Sequence, residues 1–286
     1  MITESDVTQL IPNLSGVSPL SKGGQKIVFK ADHTKYGGVV VKFMLVDNAT
    51  KVSRAQREVL AIQQVRDQCP DIPEIFEHQQ CSLHGDDYLA IIEQRIEGET
   101  LEHLINTNQV LSLKDASVLL ETLLTCCAVL EDKHLVHRDI KPANIIKDSS
   151  GKFWLIDFGI ARHLDLESVT DTGNQYGPHT PGYAPPEQFR NSKREIDSRS
   201  DIFSIGITVR TAVTGKNPFT DGAGDRLEIL RRTETLSLPV VNIPGDTQRQ
   251  FASLLNVMAD HRISRRPQSC KEAVSWLNQV KRSLNI

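Results

Sequence analysis

The sequence holds one unusually polar stretch, HRDIKPAN at residues 137–144, and a second short motif, DFG, follows it at residues 157–159. Between them, residues 145–156 contain an apolar pair, a turn and an apolar run. This pattern predicts a polar loop that leads into a β-hairpin, with Asp157 at the far end of the hairpin. Two carboxylates, an amide and a lysine would then gather at the mouth of a small sheet. Such a set suits binding a divalent cation and a phosphate while accepting a proton from a hydroxyl.

Both motifs, and the interval between them, resemble the catalytic and metal-binding segments of the protein kinases. The resemblance implies that Asp139 orients or deprotonates the hydroxyl of a substrate. Lys141 would neutralise charge on the phosphoryl group that is transferred. Asn144 and Asp157 would hold Mg²⁺, with Mn²⁺ as an alternative, because hard cations prefer oxygen ligands. His137 is expected to be a structural residue, since Asp139 already fills the catalytic role.

The resemblance places a phosphate-binding loop at residues 20–29, where the sequence departs from the family pattern. Ser21 occupies the first glycine position and Lys26 the third, and Gly23 matches the second. Backbone amides in such a loop cradle phosphates because glycine allows close approach. We expect Ser21, Gly23, Lys26 and Val28 to contact ATP, with Lys26 close to the phosphates. Taken alone, the stretch would also suit a plain hairpin turn.

A lysine also interrupts the predicted strand at residues 39–43, and it resembles the family lysine that touches the α- and β-phosphates of ATP. Residues 49 to about 67 have the apolar spacing of a helix, and Glu58 lies with its apolar face. An unpaired buried charge is costly, so Glu58 is expected to pair with Lys42, as in the family. The alternatives are an exposed edge-strand lysine and a solvated surface glutamate.

Residues 75–78 and 88–93 are predicted to form two strands of the small lobe, and a connector at residues 94–98 follows them in this interpretation. The resemblance implies that its backbone, at Gln94 and Ile96, hydrogen-bonds adenine. Glu93 would guard the pocket behind adenine. Ser112 is expected to begin a longer helix, with Asp115 three residues on as an imperfect capping box.

Residues between Asp157 and Glu187 resemble an activation loop. In the family, an arginine placed like Arg138 meets a phosphate on this loop. A phosphothreonine adds nearly two charges and can dock on an arginine, which orders the loop. Thr172, and after it Thr170, are therefore the predicted regulatory sites.

The stretch TPGYAPPE at residues 180–187 resembles the platform that positions protein substrates. Thr180 with Lys141 indicates serine/threonine specificity. Glu187 is expected to form a structural pair with Arg266, and Asp201 to hold the backbone of the catalytic loop.

Composition sets limits on the class of protein. Hydrophobic residues make up 39% and charged residues 24%, as in soluble globular proteins. A net charge of −3 gives no indication of a nucleic-acid partner. We find no run of about 18 apolar residues and no signal-peptide pattern, so we expect a cytoplasmic protein without a membrane span.

These observations predict an α+β, two-lobed protein-kinase fold. Residues 1–18 would be an N-terminal extension and 19–286 the kinase domain. A small antiparallel five-stranded lobe with one main helix would occupy about 19–94, a hinge about 94–98, and a larger, mainly helical lobe about 99–286.

The predicted function is a bacterial-type, ATP-dependent serine/threonine protein kinase. It would move the γ-phosphoryl group of ATP to a protein hydroxyl, and self-association would permit autophosphorylation in trans. One alternative is a pseudokinase that serves as a binding module, which the altered glycine loop favours. The other is a small-molecule phosphotransferase, which the substrate platform disfavours.

Overall fold

The computed structural model describes residues 2–22, 26–46, 48–158, 180–192 and 194–286. They fall into two compact units, one ending at Glu97 and the other beginning at Gly98. This division lies inside the predicted hinge at 94–98.

The first unit contains an antiparallel sheet with the strand order β1-β2-β3-β5-β4, which confirms the predicted five-stranded sheet. The strands β4 and β5 are longer than the predicted segments 75–78 and 88–93. The elements are α1 (Glu4–Leu10), β1 (Leu14–Lys22), β2 (Lys26–His33), β3 (Gly37–Leu45), α2 (Ala49–Arg66), β4 (Ile75–Leu83) and β5 (Asp86–Gln94).

The N-terminal segment belongs to the core of the first unit. Thr3 and Asp6 form a capping box that starts α1, which satisfies backbone groups at the helix end. Val7 and Ile11 are 0% and 6% exposed, and they pack in one cluster with Phe29 and Phe43 of the sheet. Because β1 begins at Leu14, the predicted boundary at residue 18 falls within a strand; the division into extension and domain stays a prediction.

The two faces of the sheet have different surroundings because side chains alternate along a strand. One face carries the cluster that α1 covers. The opposite face carries Val28, Lys42 and Ile91, which lie directly across from one another on β2, β3 and β5. The helix α2 confirms the predicted helix at 49–67, with Ala55 and Val59 fully buried.

The second unit is mainly helical, as predicted, with one small sheet of three short strands. Its central helix begins after Ser112, whose side chain accepts a hydrogen bond from the Asp115 N–H at 3.1 Å. The elements are β6 (Glu99–Thr100), α3 (Leu101–Asn106), α4 (Leu113–Asp132), β7 (Ile145–Lys147), β8 (Phe153–Leu155), α5 (Pro186–Phe189), α6 (Ser198–Thr214), α7 (Arg226–Thr235), α8 (Gln250–Met258) and α9 (Cys270–Leu284).

The helix α6 is almost entirely buried and carries Asp201 near its start. Asp197 caps its first turn, and Gly215, with φ of 72°, ends it in the left-handed conformation that favours glycine. Asp201 therefore lies in the first turn, where it is 1% exposed. No helix in the described ranges has both the length and the apolar character needed to cross a membrane.

Candidate active site

The hairpin of β7 and β8 confirms the predicted connection between the two sequence motifs. Asp148 fixes its turn by accepting hydrogen bonds from the Ser150 hydroxyl at 2.6 Å and the Trp154 indole N–H at 2.8 Å. These two bonds lower the pKa of Asp148 to about 2, so its carboxylate stays charged at neutral pH. The Ile156 N–H donates to the Asn144 carbonyl at 2.9 Å, which brings the chain just before Asp157 to the backbone of Asn144.

Asp201 holds the backbone of the catalytic loop, as expected. Its carboxylate accepts hydrogen bonds from the N–H groups of His137 at 2.7 Å and Arg138 at 2.9 Å. Arg138 has φ of 65°, a conformation that costs energy in a residue with a side chain. The buried carboxylate therefore stabilises a strained loop next to Asp139.

Two further residues support this loop. Nδ1 of His137, a residue only 2% exposed, accepts a hydrogen bond from the Asp139 N–H at 3.3 Å, which agrees with the expected structural role. Gln188 donates to the Arg138 carbonyl at 2.7 Å. Gln188 was not predicted from the sequence, where only its position directly after Glu187 of the platform distinguishes it.

Asp139 lies at the centre of a polar cluster and is 8% exposed. Its Oδ1 accepts from the Thr180 hydroxyl at 2.9 Å, and its Oδ2 is 3.0 Å from the Lys141 Nζ. Lys141 also donates to the Thr180 Oγ1 at 3.2 Å, which closes a triangle of three side chains. The structure thus brings together the predicted base, the predicted phosphate-neutralising lysine and the predicted platform threonine.

Asn144 completes this cluster and leaves an oxygen for a cation. Its Nδ2 donates to the Asp139 carbonyl at 2.8 Å and to the Asp139 Oδ2 at 3.1 Å. With the amide nitrogen used in this way, Oδ1 is the atom left to act as a ligand. Asp157, which has φ of 65°, supplies a carboxylate from the adjoining backbone. Amide and carboxylate oxygens are the ligands that Mg²⁺ prefers, so these residues fit the predicted cation.

The platform is anchored by a buried ion pair. Arg266 binds Glu187 through two parallel contacts of 2.6 Å and 3.1 Å, as predicted for this pair. The Ser200 hydroxyl adds a bond to Glu187 at 2.8 Å, and Arg266 also donates to the Asp260 carbonyl at 2.7 Å. This network joins α5, α6 and the segment before α9, and so holds the chain that follows Thr180.

In the first unit, the predicted ATP-binding residues on β1, β2 and β3 share one face of the sheet. Ser21 lies opposite Val28, and Val28 lies opposite Lys42. Lys26 is two residues before Val28 and therefore points to the same face. Gly23 lies outside the described residues, as do the predicted regulatory residues Thr170 and Thr172.

Lys42 is 8% exposed, and its ammonium forms an ion pair with Oε1 of Glu93 on β5. Glu93 was predicted to guard the pocket behind adenine, and its pairing with Lys42 was not predicted from the sequence. Glu58 lies on α2 and is partly buried; its predicted pairing with Lys42 stays a prediction.

The connector residues use two backbone N–H groups within the sheet. The Gln94 N–H donates to the Glu74 carbonyl at 2.8 Å, and the Arg95 N–H donates to the Gly38 carbonyl at 3.0 Å. Contacts with adenine at Gln94 and Ile96 would therefore have to come from other backbone groups.

Comparison with known proteins agrees with this geometry. The protein kinase domain family matches residues 16–277, and the chain belongs to this family. "Probable serine/threonine-protein kinase PknB" of Bifidobacterium longum is 31% identical over 255 residues, which cover 86% of this chain and 36% of that protein. The protein of the same name from Lactococcus lactis is 30% identical over 213 residues, 71% of this chain and 32% of that protein.

The crystal structure of the Mycobacterium tuberculosis PknI kinase domain has the same fold, with a TM-score of 0.64 and 19% sequence identity. The match covers 93% of this chain and 96% of that one. The chain spans about a third of the length of the curated relatives described above. The family and the bacterial type inferred from the sequence are therefore confirmed.

Proposed function

We propose that this chain is an ATP-dependent serine/threonine protein kinase. The observation that carries the proposal is the triangle of contacts among Asp139, Lys141 and Thr180. Asn144 adds a hydrogen bond to the Asp139 carboxylate. A buried carboxylate held by a lysine and a hydroxyl can accept a further hydrogen bond from the hydroxyl of a substrate.

The proposed reaction transfers one phosphoryl group. Asp139 orients the serine or threonine hydroxyl and takes its proton while the hydroxyl oxygen bonds to the γ-phosphorus of ATP. The bond from that phosphorus to the bridging oxygen breaks, and ADP leaves. Lys141 balances negative charge on the transferred group, and electrostatic stabilisation of this kind dominates such reactions. Mg²⁺ bound by Asn144 and Asp157 would supply further charge neutralisation at the phosphates.

Residues of the first unit would bind the nucleotide. Lys42 would contact the α- and β-phosphates, and Glu58 would support it. The atypical loop would contribute Ser21, Gly23 and Lys26, and Val28 would contact the base or ribose. Because the reaction consumes ATP, we place it in the cytoplasm.

The pure chain incubated with γ-labelled ATP, Mg²⁺ and a general protein substrate tests the proposal. We expect label on serine and threonine residues, its loss when a chelator removes Mg²⁺, and its return with Mg²⁺ or Mn²⁺. Binding of ADP without any transfer would instead favour a binding module. Label on a small molecule alone would favour a small-molecule phosphotransferase.

We further propose control by autophosphorylation in trans at Thr172 and Thr170. The phosphate would dock on Arg138, whose guanidinium suits two-point binding of an anion. Mass spectrometry of the active enzyme should find phosphate between residues 168 and 172. Full activity of a Thr170→Ala/Thr172→Ala double variant would contradict this part of the proposal.

A further inference from the structure

Lys42 and Glu93 are neighbours through the pairing of two strands that are distant in the sequence. On β3 and β5, Lys42 lies opposite Ile91, and Val40 lies opposite Glu93. Because side chains alternate along a strand, Glu93 points to the same face as Ile91 and is the diagonal neighbour of Lys42. The ion pair between Nζ and Oε1 follows from this register.

The surroundings of this ion pair make its charges costly to separate. Lys42 and Glu93 are each 8% exposed, and the four residues before Glu93 on β5, Leu89–Ile92, are at most 2% exposed. A buried charge without a partner is strongly unfavourable, so the carboxylate of Glu93 contributes to the stability of the buried ammonium. Any phosphate oxygen that binds Lys42 must share its three N–H donors with this carboxylate or displace it.

We propose that Glu93 is an internal counter-ion that competes with nucleotide phosphates for Lys42 and thereby weakens nucleotide binding. This inference rests on the proposed function, because it takes Lys42 to be a phosphate ligand. Glu93 would hold Lys42 in place before the nucleotide arrives, and the carboxylate would repel the incoming phosphates. The negative charge of Glu93 would then reduce the contribution that the phosphates make to the affinity for the nucleotide.

A supporting role for Glu93 predicts the opposite outcome. If the carboxylate only oriented Lys42 towards the phosphates, its removal would weaken nucleotide binding. The sign of the change therefore separates competition from support.

Calorimetric titration of the Glu93→Gln variant with ADP and with adenosine measures this sign. Glutamine keeps the size and one acceptor oxygen but removes the charge. We expect ADP to bind at least about fivefold more tightly and adenosine, which lacks phosphates, to bind within about twofold of its original affinity. Unchanged or weaker ADP binding would overturn the inference. An equal change for adenosine would also overturn it, because the effect would then lie in the base pocket.

Two further variants test whether the effect passes through Lys42. In a Lys42→Ala background, the Glu93→Gln substitution should lose most of its effect on ADP, as expected of coupled residues. If the full gain in ADP affinity remains in the absence of Lys42, Glu93 acts only by direct repulsion of the phosphates. That result would contradict the inference. Glu77→Gln on β4 removes the same charge from an exposed position and should leave ADP binding unchanged; a comparable gain there would attribute the effect to net charge.

Glu93→Asp provides a variant that keeps the charge and so protects the fold. It withdraws the carboxylate by one methylene, and we expect a smaller shift towards tighter ADP binding. A shift towards weaker ADP binding would contradict competition between Glu93 and the phosphates.

Titration does not depend on phosphoryl transfer, so an unaltered chain that binds ADP but transfers no phosphate would contradict the proposed kinase activity alone. An unaltered chain that binds no ADP would contradict both.

Discussion

At the scale of single residues, the chemistry proposed for Asp139 depends on side chains that hold its two oxygens in different ways. Thr180 donates to Oδ1, and Lys141 and Asn144 both contact Oδ2, so the carboxylate is held by two neutral partners and one charged partner. Arg138, directly before Asp139, and Asp157 both have strained backbone, with φ of 65°. Strain of this kind persists where the surrounding structure fixes it, as the hydrogen bonds from the His137 and Arg138 N–H groups to Asp201 do at Arg138.

Thr180→Val should slow phosphoryl transfer. Valine has nearly the same shape as threonine but lacks the hydroxyl that joins Asp139 and Lys141. A hydrogen bond to a charged group is worth about 1.5–3 kcal/mol, so we expect a fall in kcat of roughly 10- to 100-fold. Steady-state kinetics with a peptide substrate measures this change.

Thr180→Ser is the matched control, because it keeps the hydroxyl. Its kcat should stay within a fewfold of the original value. Equal losses in both variants would assign the effect to packing, and full activity in Thr180→Val would remove Thr180 from the site.

Sequence patterns predicted most members of the site, because these residues lie close together in the chain or in motifs with fixed spacing. Only two local segments, the catalytic loop and the platform, were needed to predict the residues of the triangle at Asp139. The ion pair of Lys42 with Glu93 was missed because it depends on the register between β3 and β5, which are separated by a helix and another strand. No local pattern carries that register, whereas the spacing of apolar residues on α2 led to Glu58.

At the scale of elements, α1 stabilises the first unit by covering one face of its sheet. Val7→Ala should lower the free energy of unfolding by about 2 kcal/mol, because it removes fully buried methyl groups and leaves a cavity. Chemical denaturation measures the change. Gln9→Ala, at an exposed position of the same helix, is the control and should change stability by less than about 0.5 kcal/mol.

Equal effects of these two substitutions would contradict a packing role for α1. The sequence did not predict this helix because it is short, with a single buried residue, Val7, in its span. Longer helices such as α2 and α4 repeat their apolar residues often enough to be recognised. Their predicted starts were also accurate, since Ser112 shows the expected capping bond.

At the scale of the whole molecule, the pair of Glu187 and Arg266 ties together distant parts of the second unit. The side chains are 4% and 0% exposed. Breaking a buried pair by neutralising one partner costs about 3–5 kcal/mol, so Glu187→Gln should lower Tm by roughly 10 °C. Differential scanning calorimetry measures this shift.

Lys271→Ala is the control for this prediction. It breaks the exposed ion pair of Lys271 with Asp132, where the side chains are 65% and 53% exposed. Exposed pairs contribute about 0–1 kcal/mol, so Tm should change little. A loss for Glu187→Gln no larger than for Lys271→Ala would contradict the anchoring role.

The order of motifs along the chain predicted the fold as a whole, since each motif of the family occupies one place in it. Element ends were predicted less well, as the longer β4 and β5 show. Strand ends depend on pairing partners: β4 pairs with β5 along its length up to the turn at Gly85. In that outer part only Cys81 and Leu83 alternate with polar residues, and a pattern of two apolar residues is too short to predict a strand.

The central claim is that Asp139 carries out phosphoryl transfer, and the Asp139→Asn variant tests it most directly. Transfer of label from γ-labelled ATP to protein should fall by at least about 10²- to 10⁴-fold, the usual contribution of a positioned acid or base. ADP binding and Tm should stay close to those of the unaltered chain, because Asp139 lies in a loop. Asp132→Asn, an equal change of charge at an exposed site, should keep full activity. Turnover near the original value in Asp139→Asn, under conditions where the unaltered chain is active, would contradict the claim.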